Sequence, residues 1–440
     1  MAVIAVVALL VTGAWWMMGA PAMDFPDTVP PRALDALATR AFAIVAGLGA
    51  AALLVIHYRR QRTTEADTER ETAKLFTETF DSAGNKLGSE HAAVRLAGVH
   101  ALVRLADEAP QGRADLVQMI IDVLCAYLRM PYTPAPEKPS KLANKEMIDD
   151  HRDQELEYAS FREVRHTIIR VIGDRLRWPT RWRGKYYDFT GVVFDGGSFS
   201  GAVFESGGVS FHKAKFISGE VDFNDTKFTG GTTSFHGAEF IGGEVNFVNA
   251  KFIKGKISFL GARFGGSKVN FLDARFAGGE VEFFNAKFTG GEVSFYRSEF
   301  HGGEISFYKS SLTGGRLTFG SAKFIGGVTS FLGAELSDGK IDFLGAEFSG
   351  AEVSFLGAKF SGSTASFFGA TFTGGWIEFR KAEFTAGEIN FVATRFIGGK
   401  VNFLGASGNP PVDLLASFEK ANPEVIALPA AWEYKFNERE

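Results

Sequence analysis

The chain has 440 residues, with 47 Lys and Arg against 51 Asp and Glu and a formal net charge of −4. That near-balance removes the basic field a nucleic-acid partner generally requires, and a single cysteine, Cys125, excludes an intramolecular disulfide framework and suits a reducing compartment. Phenylalanine is the anomaly, at 44 residues against 9 Tyr and 6 Trp, with 51 Gly beside it; a globular core has no reason to prefer Phe over Leu so heavily, whereas a repeat with one slot for a flat ring does.

Residues 2–20 carry no charged side chain and include Trp15, Trp16, Met17 and Met18. The run is about as long as a hydrocarbon core is thick. After a Pro-rich loop, Arg40 precedes a second apolar run at 41–56, which ends in His57-Tyr58-Arg59-Arg60-Gln61-Arg62. A cleaved signal peptide is the rival reading of the first run, but the run lacks a positive leading segment and a second apolar run follows closely. Neither run shows the polar stripe of a buried soluble helix. The expectation is a transmembrane helical hairpin over 1–62 in a lipid bilayer. Arg59, Arg60 and Arg62 then place the following chain in the cytoplasm of a multi-pass membrane protein.

Residues 63–186 read as an α-helical juxtamembrane region. A charged helix over 65–80 is broken at Gly84-Asn85-Lys86-Leu87-Gly88, and Ser89 is placed to cap a second helix carrying Val94, Leu96, Val99, Leu102 and Leu105. Pro110 and Gly112 end it. A third helix spans about 114–130, with Cys125 as a small core residue, since no His or cation stands beside it to lower its pKa. A Pro-rich linker covers 131–142, and a fourth helix is expected over about 160–176. The basic and aromatic stretch 175–185 (RLRWPTRWRGK) has two readings, contact with anionic headgroups and a lid on the structure that follows.

From 187 to 406 the chain is a repeat. Phe189, Phe194, Phe199 and Phe204 are five apart, and from there the gaps alternate between seven and five. One register, Phe211 to Phe403 in steps of twelve, is Phe at all 17 positions; the other, Phe204 to Phe396, is Phe at 15 of 17, with Leu312 and Leu336 as exceptions. The two registers hold 32 of the 44 Phe, so the repeat accounts for the composition. Two residues before each second-register Phe stands a small residue such as Ala214 or Ala286, and two before each first-register Phe stands Val, Ile or Thr, such as Val245 or Ile257. Residues two apart share one side of an extended chain, so both sets are expected to face inward with the rings. Gly pairs such as Gly242-Gly243 lie within the seven-residue gaps and suit corners with positive φ. Stacked coils, paired about 4.8 Å apart, would bury a continuous ring column that no single unit buries alone.

The stretch DFTGVVFDGGSFSGAVF, centred on Phe189, Phe194, Phe199 and Phe204, resembles the pentapeptide-repeat proteins, and the hairpin with HAAVRLAGVHALVRLAD resembles membrane-anchored bacterial members. The resemblance implies a right-handed quadrilateral β-solenoid. The seven-residue sides depart from the family pattern. Two units per coil (24 residues) keep four sides, and one unit (12 residues) gives a flat two-sided solenoid; 24 is the expectation. Residues 407–440 follow as a C-terminal cap or tail.

No P-loop, metal-spaced His set or nucleophile–base arrangement is present, so no catalytic residue, cofactor or metal is expected. Glu244, Glu280, Glu292 and Glu304 recur at one phase, but Lys and Arg share it, as on a solvated face. The residue after each first-register Phe is less expected. Leu260, Leu272, Phe284, Tyr296, Tyr308, Leu332, Leu344, Leu356 and Phe368 are large and apolar at a position that should point outward. Such a ladder suggests an interface, unless Lys and Glu stems cover it or a bulge turns it inward. The function expected is a non-enzymatic membrane-anchored scaffold for an unidentified protein partner or for a second copy of the chain. The alternative is a mimic of duplex DNA that binds a topoisomerase, as the resemblance implies for some soluble members. It needs a strongly acidic surface, and residues 187–406 carry 22 acidic against 20 basic side chains.

Overall fold

The computed structural model describes residues 70–141, 144–410 and 425–432, together with scattered positions between 12 and 58. The two apolar runs therefore lie mostly outside the described residues. Residues 53–58 are helical, and among the described residues no helix is long and apolar enough to cross a membrane. The chain divides into two compact units, Met1–Thr77 and Glu78–Glu440. The solenoid and the helices on its first turn both belong to the second unit.

The helix expected to break at Gly84 continues to Leu87 and turns at Gly88. One unfavourable Gly costs a helix only about 1 kcal/mol, and here Ala83 and Leu87 are buried and hold the last turn. In the next helix, Ala92–Asp107, the N-cap position belongs to His91, not Ser89, and its side chain makes no capping bond; the Ser89 hydroxyl instead accepts from the His91 N–H at 3.2 Å. Ala114–Arg129 follows, with Val117, Ile120, Ile121 and Leu124 buried. Burial also pushes the Cys125 thiol up to about 12, as befits a core residue. The last helix is Lys145–Arg177, 33 residues long, where the sequence indicated a start near 160. Asn144 caps it by accepting from Met147 N–H. Its first half is charged and exposed, so no apolar stripe announces it.

From residue 187 the chain winds as a parallel β-solenoid of about nine turns. Glu239–Phe240 pairs with Arg263–Phe264, and Lys256–Ser258 with Glu280–Glu282, offsets of 24 residues. Each turn thus holds two repeat units and four short strands. In the second turn these are Gly208–Ser210 (side 1), Lys215–Phe216 (side 2), Glu220–Asp222 (side 3) and Lys227–Phe228 (side 4). The first turn is tighter: Tyr187 pairs with Val209 and Val193 with Lys215, offsets of 22, because Phe194 and Phe199 are still five apart. From Ser311 onward, four strands such as Ser311–Thr318 run through the edge between sides 2 and 3 with local bulges. That change begins at the two non-Phe positions. Leu312 and Leu336 are register partners in one column, so each Leu meets a Leu and both stay buried.

The rings stack as four columns. Phe283 and Phe307 lie 4.7 Å apart at 7°, and Phe348 and Phe372 lie 4.4 Å apart at 2°. The small residues and the Val/Ile/Thr set are buried with them, as expected. Burial of each ring contributes about 1.5–3 kcal/mol. The Gly pairs build the two edges between sides 2 and 3 and between sides 4 and 1. A Cβ on Gly243, at φ +72°, would fall 2.3 Å from the Gly219 carbonyl oxygen one turn below, so glycine is required there.

Both ends of the stack are covered. Helix Lys145–Arg177 lies on the first turn so closely that a Cβ on Gly173 would stand 2.7 Å from the Ser198 carbonyl oxygen. The basic stretch forms the lid. Trp182 is fully buried and donates to Asp107 Oδ1 at 2.8 Å; Arg175 grips the same carboxylate, Arg177 bonds the Ser200 carbonyl, and Arg183 bonds the Leu176 and Arg177 carbonyls and Glu205. At the far end Ile426–Ala427 adds a strand to side 1, and the buried Trp432 ring rests on Phe384 and Phe403 at 5.7 and 5.5 Å. Exposed sheet ends invite further strands; here helices and Trp432 occupy them.

Candidate functional site

The ladder residues are placed by a turn repeated at the two edges between sides 1 and 2 and between sides 3 and 4. A first-register Phe points inward, the ladder residue and its successor turn the corner, and the small residue points inward again. The small residue's N–H closes the turn on the Phe carbonyl, as in Ala286 to Phe283 at 3.1 Å. The residue after the ladder position has positive φ at all 17 corners from Lys213 to Gly405, ten of them without glycine, including Asp273, Asn285 and Arg297. That conformation is disfavoured for side chains other than Asn, Asp and Gly, yet the stacked corner holds it. A Ser, Asn or Asp just before the Phe accepts the ladder residue's own N–H, as in Asn270 to Leu272 (3.0 Å) and Asp342 to Leu344 (2.9 Å). This Asx-type bond went unread in the sequence, although the recurrence of Ser, Asn and Asp at that phase signals it.

With the flanking Phe and the small residue turned in, the ladder residue is turned out, and a bulge does not bury it. Tyr296, Leu344 and Phe368 are 44%, 48% and 44% exposed and Leu332 is 37% exposed; Leu260, Leu272, Phe284, Tyr308 and Leu356 are half-buried. Neighbours cover them only in part, as where Lys309 Nζ lies 5.2 Å from the Tyr308 ring. A 24-residue turn sorts them into two stripes. Leu260, Phe284, Tyr308, Leu332 and Leu356 follow the edge between sides 1 and 2, where the Phe284 and Tyr308 rings meet edge to face at 5.6 Å. Leu272, Tyr296, Leu344 and Phe368 follow the opposite edge, where the Tyr296 ring lies across Gly320. Nearest the helices both stripes are polar, with His212, Asn224 and His236 at the same positions.

The sequence did not point to a second cluster, at the junction of helices and solenoid. Asp195, on the first turn, is buried and accepts from Tyr132 Oη (3.1 Å), Tyr158 Oη (3.0 Å) and His166 Nε2 (2.9 Å), with Arg162 in ion-pair range at 3.3 Å. Burial alone would raise its pKa; the bonds from His166 and Tyr158 outweigh that and hold it at about 2. Burial also pushes the Tyr132 hydroxyl well above its usual range. Beside the cluster the buried Arg165 donates to the Leu128 and Val193 carbonyls, both at 2.7 Å, and stacks on Tyr132 and Phe161. The four residues around Asp195 come from positions 132 to 166 with no motif spacing, so pattern reading has no handle on them. The bonds to Asp195 tie the helical region to the first turn, a latch between two elements.

Among the described residues no three His, Cys, Asp or Glu stand close enough to hold a metal ion. The recurrent carboxylates pair along the stack, Glu244 with Lys268 and Glu280 with Lys256. A groove of about 830 Å³ follows the glycine edge near Trp376 and Ile397, with Glu352 and Lys400 as its charged residues. No family model, no curated protein and no solved structure matches this chain.

Proposed function

We propose that the chain is a non-enzymatic, membrane-anchored scaffold whose pentapeptide-repeat-like solenoid offers an apolar edge to a protein partner or to a second copy of itself. The outward ladder carries this reading. Large apolar side chains repeat along edges built so that they cannot turn in, and the two ends of the stack are already occupied, which leaves the flanks for contact. Anchoring is supported by the apolar runs at 2–20 and 41–56 and by Leu53, Leu54, Val55 and Ile56, which are helical and 56–71% exposed. Arg59, Arg60 and Arg62 favour a cytoplasmic solenoid. The near-equal charge of the repeat disfavours the DNA-mimic alternative.

Replacing Phe284, Tyr308 and Leu332 together by Ser tests the scaffold. The fold should survive, with a loss of no more than about 0.5–1.5 kcal/mol for the Phe284–Tyr308 ring pair beyond the small change expected of surface sites, while chemical crosslinking in native membranes loses the partner or the dimer. An unchanged crosslinking pattern with an intact fold would make the stripe a covered surface. For the anchor, the chain should stay in the membrane pellet after carbonate extraction, and a reporter fused after Glu440 should read as cytoplasmic. Release by carbonate would remove the hairpin, and an external reading would reverse the topology.

A further inference from the structure

Arg175, Arg177 and Arg183 are engaged within the lid, and beyond it the four sides of the solenoid differ sharply in charge. On side 4 the outward strand positions, repeating every 24 residues from 227, hold Lys227, Lys251, Arg275, Lys323 and Arg395. Two carboxylates, Glu299 and Glu347, interrupt them. The wide sides run the other way. Side 1 has Lys256 and Lys400 against six carboxylates, and side 3 has Lys268, Arg316 and Lys340 against six. Side 2 nearly cancels, with four cations and three carboxylates.

Lys227, Lys251 and Arg275 lie in direct register on three successive strands. Like charges opposed in this way repel, and among the described residues Lys227 and Lys251 have no ion-pair partner, while Arg275 leans on Glu299. Two positions after Lys251, Lys323 and Arg395 stand Ile253, Ile325 and Ile397, which are 37%, 41% and 67% exposed. They recur every third turn. The edge bordering side 4 is the stripe with Tyr296, Leu344 and Phe368. Of the two carboxylates at its corners, Asp273 is paired with Arg297, and Asp225 sits at the end nearest the helices.

We propose that side 4, with this bordering stripe, lies against an anionic lipid surface. Cations near an anionic leaflet gain from its negative potential, and Ile, Leu, Phe and Tyr beside them suit the boundary between headgroups and acyl chains. Isoleucines three turns apart do not merge into the single apolar centre that a protein interface has, but each enters an acyl boundary separately. An acidic nucleic acid would leave them against phosphate. The opposite stripe, between sides 1 and 2, is then the one left for the protein partner. This inference rests on the membrane reading and divides the two stripes between lipid and protein.

The test uses the full-length chain reconstituted in phosphatidylcholine vesicles with or without phosphatidylserine and with a quencher-bearing lipid. Cys125 is buried, so a fluorophore can be placed on Ile325→Cys on side 4 or on Ser337→Cys on side 2. Quenching at position 325 should exceed that at 337 in phosphatidylserine vesicles. It should fall to the level of 337 without phosphatidylserine, at high salt, and in the triple variant Lys227→Gln, Lys251→Gln, Arg275→Gln, whose melting curve verifies the fold. Equal quenching at the two positions, or indifference to phosphatidylserine, overturns the proposal. Failure of the anchor reads differently: the chain then leaves phosphatidylcholine vesicles on sedimentation, while phosphatidylserine-dependent quenching at 325 still upholds the face.

Discussion

Inside the solenoid nearly every ring has a copy of itself above and below; at the junction with the helices each contact is made once. Phe295 stacks between Phe271 and Phe319 at 4.7 and 4.9 Å and touches Phe276 and Phe300 besides. Asp195, Arg165, Trp182 and Asp107 instead join residues tens of positions apart through single directed bonds. The stack accommodates the Leu pair 312 and 336 because the two meet each other in one column and both stay buried. The junction depends on a few polar groups whose loss leaves partners buried and unsatisfied. The difference teaches where each region is vulnerable: the solenoid to lost volume, the junction to lost charge.

The sharpest test of that contrast is Phe295→Ala. Removing a fully buried ring should cost about 3–5 kcal/mol, read as a lower melting temperature of the whole stack. A melting curve unchanged by the substitution would show that a column is not a cooperative unit.

Asp195→Asn should cost less, about 1–3 kcal/mol, and act locally. Because the folded carboxyl is held at about 2, below its ordinary 3.8, it contributes stability above the ordinary value, and that contribution is lost as pH falls through the folded one. Hydrogen exchange, corrected for its intrinsic rate, should show residues 160–177 of the parent losing protection between about pH 4 and pH 2. The variant should lack that step. Loss of protection spread evenly along the solenoid would erase the distinction between the two regions.

Gly261→Ala is the mildest probe. Gly261 sits at a turn edge with φ +62° and nothing within 4 Å of where its Cβ would stand, at a position where ten sister corners already carry side chains. The expected cost is the left-handed backbone term alone, about 1–2 kcal/mol. A larger loss in denaturant melts would mean that the corner is packed more tightly than its neighbours.

The sequence by itself determined the solenoid, because every buried slot recurs and each recurrence repeats the same physical demand. Phe at 211 plus multiples of twelve, the small residue at 214 and the Gly pairs state which way each side chain faces without reference to anything distant. Even the 24-residue turn was within reach, since two five-plus-seven units close four sides. Three things only the tertiary structure decided. Whether 175–185 met lipid or covered the first turn depended on Asp107, which lies 68 positions before Arg175. The start of the long helix at Lys145 was hidden because its first half buries nothing and so carries no period. The charge of side 4 was invisible because register, not sequence proximity, brings Lys227, Lys251 and Arg275 together. Repetition writes its geometry locally, whereas a contact made once is recorded only where two distant stretches of chain meet.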